Sequence, residues 1–248
     1  METIIEIKNL TKKYFFTSPM VLKNVSLDVV EGEFLCFVGP SGCGKSTLVR
    51  LVSGLEKPTS GRVYYKKKIV KGVNPEISMV FQSFALLPWL TVKENVEFGA
   101  KMSGGIDWAE RHWVRGSLFT VGLNKVFDMY PRELSGGMRQ RVGIARALVM
   151  DPKILILDEP FSQLDLITAG ELRSEVLDIW QSRNLTVIMV SHLIEEAVQL
   201  ADRIVIMNAG EIKKIVPINL RRPRHKESKE FLETVGKIEE LMGLKADF

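Results

Sequence analysis

The chain has 248 residues, 46% of them apolar and 26% charged. That length suits one α/β domain with a small subdomain and a large core, and the composition excludes global disorder. The formal net charge of +4, from 34 basic and 30 acidic residues, is too mild to demand a nucleic-acid partner, and none is expected.

The first 35 residues read as β structure. Ile5-Glu6-Ile7 alternates, as does Val25-Ser26-Leu27-Asp28-Val29, and Glu31-Gly32-Glu33 makes a turn. The start, Met1-Glu2-Thr3-Ile4-Ile5-Glu6, lacks the basic region and apolar stretch of a signal peptide. No apolar run approaches the roughly 18 residues of a membrane-spanning helix. The protein is therefore expected not to cross a bilayer by itself.

Residues 39 to 47 read GPSGCGKST, which places the pattern G-x-x-x-x-G-K-[ST] on Gly39, Gly44, Lys45 and Ser46. The apolar run Glu33 to Val38 precedes it and Thr47 to Val52 fits the first turns of a buried helix. Strand, glycine loop and helix is the context in which this pattern binds nucleotide phosphates, whereas a chance Gly/Ser turn needs neither flank. The whole loop of Gly39, Pro40, Ser41, Gly42, Cys43, Gly44, Lys45, Ser46 and Thr47 is expected at the nucleotide. Glycines let backbone N–H groups converge on phosphate oxygens, and the helix N-terminus adds unpaired donors and partial positive charge. Lys45 is expected on the β- and γ-phosphates of ATP, and the Ser46 hydroxyl on Mg²⁺. The chain's two cysteines, Cys36 in the strand and Cys43 in the loop, are not expected to pair, which fits a reducing cytosol. Cys36 reads as core packing, and alkylation of Cys43 is expected to block nucleotide binding.

Gly54 to Gly61 reads as a loop, Gly61 to Tyr65 as a strand, and Ile77 to Phe81 as a strand ending at Gln82. Lys66-Lys67-Lys68 reads as a solvated hairpin edge. From about Leu90 to Met150 the aromatics Phe98, Trp108, Trp113 and Phe119 stand among charges at helical intervals, which predicts a helical subdomain interrupted at Gly104-Gly105 and Pro131. His112 falls here and carries no chemistry in this reading.

Residues 134 to 141 read LSGGMRQR. Ser135, Gly136 and Gly137 precede a helix predicted over Met138 to Met150, so they read both as a helix cap and as a second anion-binding segment. Arg139, Arg141 and Arg146 are expected to add positive charge there. Ile154-Leu155-Ile156-Leu157 is a continuous apolar run, the mark of a buried parallel strand, and it ends in Asp158-Glu159-Pro160. Ligands in open α/β sheets bind at that end of a strand. Asp158 is expected to hold Mg²⁺ through a water, and Glu159 to act as general base on an attacking water. A helix over Thr168 to Ser182 and a second buried strand, Val187 to Val190, complete a βαβ unit. Ile204 to Met207 and Glu211 to Val216 flank Asn208-Ala209-Gly210 as a hairpin. The basic run Arg221-Arg222-Pro223-Arg224-His225-Lys226 reads as a solvated loop. Phe231, Leu232, Val235, Ile238, Leu241 and Met242 fall on one face of a final helix, expected to pack on its own domain.

With these motifs in this order, the chain resembles the ATP-binding subunits of ABC transporters over nearly its whole length. The resemblance implies an α/β fold with a P-loop NTPase core, a parallel sheet, an antiparallel β subdomain and a helical subdomain. It sets an ATPase domain at 1–220, with the helical part at about 90–150, and a tail at 221–248. It implies that Tyr14, or else Phe15 or Phe16, stacks on adenine. Gln82 contacts Mg²⁺ and the attacking water, Leu134 to Gln140 is the family signature, and His192 contacts the γ-phosphate. Ser162-Gln163-Leu164-Asp165 couples two sites, with Asp165 at the nucleotide. A second copy binds head to tail, so that Ser135, Gly136 and Gly137 of one copy cover ATP held by the other. Integral membrane permease subunits and an extracytoplasmic solute-binding protein are implied partners, with this subunit peripheral on the cytoplasmic face. The stretch Phe84 to Val96, with its LLPWLTV wording, looks like the importers of nitrate, sulfonate and taurine, and Trp89 beside Pro88 suits docking to the permease. A soluble ATPase of DNA maintenance or translation is the alternative. The first would place a long coiled coil between loop and signature, and the second would carry two ATPase modules. Two positions depart from the family pattern: Gln163 replaces a small residue, and Leu193 stands where aspartate often follows the histidine.

Overall fold

The computed structural model describes residues 2–15, 17, 19–101 and 108–244, with the backbone alone for 108–112. Phe16, the Gly104-Gly105 break and the side chains of Trp108 and His112 lie outside the described residues. The chain divides into two compact units, Met1–Val73 with Thr186–Phe248, and Asn74–Leu185.

The first unit opens with β1 (Thr3–Lys12), β2 (Leu22–Val30), β3 (Phe34–Val38), α1 (Lys45–Val52), β4 (Ser60–Tyr65) and β5 (Lys68–Ile69). The second holds β6 (Ile77–Val80), α2 (Val92–Lys101), α3 (Trp108–Thr120), a 3₁₀ turn at Pro131–Glu133, α4 (Gly136–Leu148), β7 (Ile154–Asp158) and α5 (Leu166–Arg183). The chain returns to the first unit with β8 (Thr186–Val190), α6 (Ile194–Leu200), β9 (Arg203–Asn208), β10 (Glu211–Pro217) and α7 (Lys229–Leu241).

In the first unit β2, β1, β4 and β5 form an antiparallel sheet in that order. From Val25 to Val29 β2 alternates buried and exposed residues, as a sheet with one covered face requires, and β1 does so less regularly because its register shifts. Lys66 and Lys67 turn the β4–β5 hairpin at positive φ, and Lys68 is exposed, which matches the solvated edge read from the sequence. The other sheet of this unit has β3 at its centre, parallel to both β8 and β9. All five residues of β3 and of β8 are buried, since α1 packs against β8 and α6 against β3. The β9–β10 hairpin closes at Ala209 and Gly210, both at positive φ, the backbone a two-residue hairpin loop needs.

Two expectations for the tail separate here. The α7 helix packs on α6 and buries Phe231, Val235 and Ile238, while Leu232 and Leu241 of the face read from the sequence are exposed, so the buried stripe is narrower than expected. The basic run before it is a loop with Arg221, Pro223 and His225 exposed, but two of its arginines turn inward. Arg224 is 8% exposed and donates through Nη1 to the carbonyls of Val198 and Ala201, at 2.6 and 2.7 Å, and through Nε to that of Leu220 at 3.0 Å. Arg222 donates to Leu200 O and pairs with Asp202 at 2.7 Å. The last carbonyls of a helix have no partners in their own helix, and these two guanidinium groups satisfy those of α6. Burial pushes the Arg224 pKa down to about 10.

In the second unit β6 and β7 pair in parallel, and α2, α3 and α4 pack on one another. A capping box starts α2: Thr91 N–H and hydroxyl donate to Glu94, and Glu94 N–H returns to the Thr91 hydroxyl. One turn on, the Asn95 side chain is fully buried. It accepts from Leu87 N–H at 2.8 Å and donates to the carbonyls of Leu87 and Leu90 at 3.1 and 3.0 Å. That amide holds the segment that carries Trp89, which is 69% exposed. Replacing Asn95 by Ala strands these backbone groups, and the expected cost is about 1–3 kcal/mol of stability. A thermal unfolding midpoint equal to that of the parent chain would refute the brace.

Candidate functional site

In the first unit the glycine loop leaves the buried end of β3 and runs into α1. A Cβ at Gly39 would lie 2.2 Å from the Met207 carbonyl of β9, so backbone passes backbone with no room for a side chain. Gly44, at φ 104, is the N-cap of α1 and offers no side chain to cap it, and no acidic residue lies in the first turn. The helix start thus lacks a side-chain cap, and an uncapped N-terminus favours an anion. Lys45 folds back along the loop. Its Nζ donates to Gly39 O at 2.6 Å and to Pro40 O at 3.0 Å, and the residue is 5% exposed. The carbonyls of its own loop thus stand in for the water a buried ammonium has lost.

Tyr14 stands at the far side of the loop. Its hydroxyl lies 3.2 Å from Thr47 Oγ1 and donates to Glu56 at 3.1 Å, while Lys12 Nζ sits 4.8 Å from the ring centre. Tyr14 is 45% exposed, and Phe15 next to it is exposed as well. Cys36 and Cys43 are both free thiols. Burial pushes the Cys36 thiol up, out of the reactive range, as core packing implies. Cys43 is 5% exposed, so alkylation there has to wait for the loop to open.

His192 is exposed and follows β8 by two residues. The turn after it is organised by a pair that the motif reading passed over. Ser191 Oγ donates to Glu196 at 2.7 Å and accepts from Leu193 N–H at 3.0 Å, with Ser191 and Glu196 both buried. Leu193 itself is the N-cap of α6 and has no side-chain cap bond. The start of α6 is therefore fixed from Ser191, and the departure at Leu193 leaves it intact. The only trace in the sequence is a serine and a glutamate five apart, too weak a signal to read.

In the second unit the parallel register decides the geometry. Val80 of β6 faces Leu157 of β7, so the residues two further on, Gln82 and Glu159, leave the strands side by side. Gln82 Nε2 donates to Glu159 Oε2 at 2.9 Å. Asp158 ends β7 with 3% exposure. Glu159 adopts φ 48, and its carbonyl accepts from Ser162 N–H and Oγ at 3.3 and 3.0 Å. A left-handed glutamate is a local cost of about 1–3 kcal/mol of the kind that collects at functional sites.

The LSGG segment and the segment after Glu159 form two neighbouring helix starts. Ser135 caps α4, accepting from Met138 N–H at 3.3 Å, so α4 begins two residues before the expected start. Asp165 caps α5, accepting from Ile167 and Thr168 N–H at 3.1 and 3.0 Å. The bond from Thr168 N–H is the main reason its carboxyl is held below the usual range. Gly136 approaches Leu164 and the Gln163 carbonyl. A Cβ on Gly137 would meet Thr168 Cγ2 at 2.3 Å, so packing within this chain already demands glycine there.

The three arginines of α4 go to three different partners, and of them Arg139 stays beside the LSGG segment. Arg139 donates to Pro131 O at 2.8 Å, Arg141 pairs with Glu175 at 2.7 Å, and Arg146 turns to the carbonyls of Phe84 and Ala85. Arg139 and Arg146, seven residues apart, share a face two turns from each other, and Arg141 lies on another face.

A strand, an uncapped glycine loop with a buried lysine, and an Asp-Glu pair at the end of a buried strand define a phosphate-loop ATPase. The chain belongs to the ABC transporter family, whose model matches residues 22–162. It is similar to an uncharacterised ABC transporter ATP-binding protein, MJ0412, of Methanocaldococcus jannaschii, 47% identical over 96% of this chain and 91% of that protein. The bicarbonate transport ATP-binding protein CmpD of Synechocystis is 48% identical over 84% of this chain and 75% of its own length. The nitrate transport protein NasD of Klebsiella oxytoca is 40% identical over 91% and 89%. Among solved structures, the ATP-binding cassette MJ0796, a dimer bound to ADP and Pi, is 33% identical. It has a TM-score of 0.78 and covers 88% of this chain and all of its own. The family and the P-loop NTPase fold read from the motifs are borne out, and the chain is an ATPase.

The steric account of Gly137 has a direct check. Gly137→Ala is expected to destabilise the protein by about 1–3 kcal/mol through overpacking. Adding Thr168→Ser, which deletes the offending methyl, should restore most of that loss, and a double variant no more stable than the single would refute the contact.

Proposed function

We propose that this chain is the ATP-hydrolysing subunit of an importer for a small solute of the nitrate, bicarbonate, sulfonate or taurine kind. The relatives named for nitrate and bicarbonate transport support that range, as does the LLPWLTV wording at 86–92. They also favour a transport motor over a soluble ATPase of DNA maintenance or translation. The observation that carries the hydrolytic reading is the 2.9 Å bond between Gln82 and Glu159, two residues singled out separately in the sequence.

The residues suit the groups they would hold. The loop 39–47 with α1 presents backbone donors and one buried ammonium, the complement of a polyphosphate. Ser46, Asp158 and Gln82 are hard oxygen donors of the kind Mg²⁺ prefers, and bound Mg²⁺ would neutralise charge on the phosphates. Tyr14 would stack on adenine. Lys45 would trade Gly39 O and Pro40 O for β- and γ-phosphate oxygens. The Gln82 amide would orient a water against Glu159, whose Oε2 takes its proton. His192 would contact the γ-phosphate. Ser135, Gly136 and Gly137 would cover the nucleotide of a second copy docked head to tail, with Asp165 fixing the adjoining turn. Permease subunits would dock at the exposed segment around Trp89, on the cytoplasmic face of the membrane. A solute-binding protein would deliver the cargo from the other side.

Two variants test the assignment. Lys45→Ala is expected to weaken ATP binding strongly by titration. Glu159→Gln is expected to keep ATP binding while turnover falls about 100-fold or more. It should also migrate as a dimer with Mg-ATP in sizing experiments. Turnover at the parent rate in Glu159→Gln would defeat the general-base assignment, and a strictly monomeric ATP-bound form would defeat the shared site.

A further inference from the structure

Arg146 lies in the last turn of α4, where a cation commonly serves its own helix end. Its guanidinium instead leaves the helix. Nη1 donates to Ala85 O at 2.7 Å and Nη2 to Phe84 O at 3.1 Å. Phe84 and Ala85 are consecutive residues at positive φ, 60° and 48°, and neither is a glycine or an asparagine that would accept this backbone readily. Consecutive left-handed residues aim their carbonyls the same way, and the planar fork of one guanidinium meets both. The turn begins immediately after Gln82, with Phe84 N–H on Phe81 O at 3.2 Å and Ala85 N–H on Ser83 O at 2.6 Å.

The arginine is itself held. A Cβ on Gly99 of α2 would lie 2.9 Å from Arg146 O and 3.1 Å from its Cγ, so α2 closes directly over the arginine stem. Burial lowers the pKa of the guanidinium from its ordinary value, and its fork meets both carbonyls of the turn. On the far side of the turn lies Asn95, gripping Leu87 and Leu90. The segment from Gln82 to Thr91 is thus fastened to α4 at one end and to α2 at the other.

We propose that Arg146 is a positioning residue for hydrolysis. It holds the left-handed turn at Phe84 and Ala85, and that turn sets the Gln82 amide against Glu159. Because Ser135 caps the opposite end of α4, the same helix joins the exposed Trp89 segment to the LSGG turn. This inference rests on the roles proposed above for Gln82 and Glu159.

The test uses the full chain. Arg146→Ala is expected to lower kcat about tenfold with KM for ATP changed less than about twofold, since the phosphate loop is untouched. Hydrogen exchange across 83–89 should quicken. Millimolar ethylguanidinium should restore part of kcat to Arg146→Ala and none to Lys45→Ala. Arg146→Lys, with a single ammonium for two carbonyls, should fall between and carries the test if the alanine variant does not fold. A folded variant with parent kcat and parent exchange at 83–89 overturns the proposal, as does a loss of kcat without faster exchange there. If Glu159→Gln hydrolysed ATP normally, the catalytic reading would fail, while the exchange at 83–89 would still decide whether Arg146 holds the turn.

Discussion

A strand buried on both faces can carry polar chemistry only where it leaves the sheet. All five residues of β3, of β7 and of β8 are buried, and nearly all are apolar. Each delivers its chemical group at its C-terminal exit: Gly39 after β3, Asp158 and Glu159 at the end of β7, and His192 just past β8. The shorter β6 does the same for Gln82. The cost of burying a charge keeps these groups to the strand ends, and the parallel direction of each pairing sends them to one side of its sheet. In the second unit the β6–β7 register goes further and brings two of them into contact.

Helix starts supply the rest. The α1 helix begins at a glycine and is left uncapped, while α4 and α5 are capped by Ser135 and Asp165. These differences divide labour. Open donors at α1 suit an anion, whereas capped starts suit stiff turns that hold a surface in place. The tight fit of Gly137 against Thr168 makes the LSGG turn and the turn at Asp165 one packed unit. Leu166 and Ile167 beside it are 88% and 77% exposed, so the apolar surface of that unit faces outward.

Arginine explains where a linear reading goes astray. Six of them, counted from the sequence as Arg139, Arg141, Arg146, Arg221, Arg222 and Arg224, looked like local positive charge. For Arg139, Arg141, Arg146, Arg222 and Arg224 the guanidinium is spent on backbone carbonyls or a carboxylate of the same unit. The side chain is long enough to reach over a turn, and its planar fork suits carbonyls that a helix end or a strained turn leaves without partners. Charge counted along the chain misses this, because most of the acceptors lie 20 or more residues away.

Much of the protein was legible in the chain. The phosphate loop, the LSGG segment and the Asp158-Glu159 pair are local patterns, since the backbone shapes they need are made by neighbouring residues. Strand lengths, the hairpin at Asn208-Ala209-Gly210 and the buried face of α7 follow from periodicity, which is likewise local. Helix starts shifted by two residues at α4 and α5, because the capping side chains lie just ahead of the apolar pattern. Tertiary structure alone decided the Gln82–Glu159 contact, the grip of Arg146 on a left-handed turn, and the Arg222 and Arg224 seal on α6. Each joins groups far apart in sequence, and a distance of that kind is settled by strand register and helix packing, which no local pattern encodes.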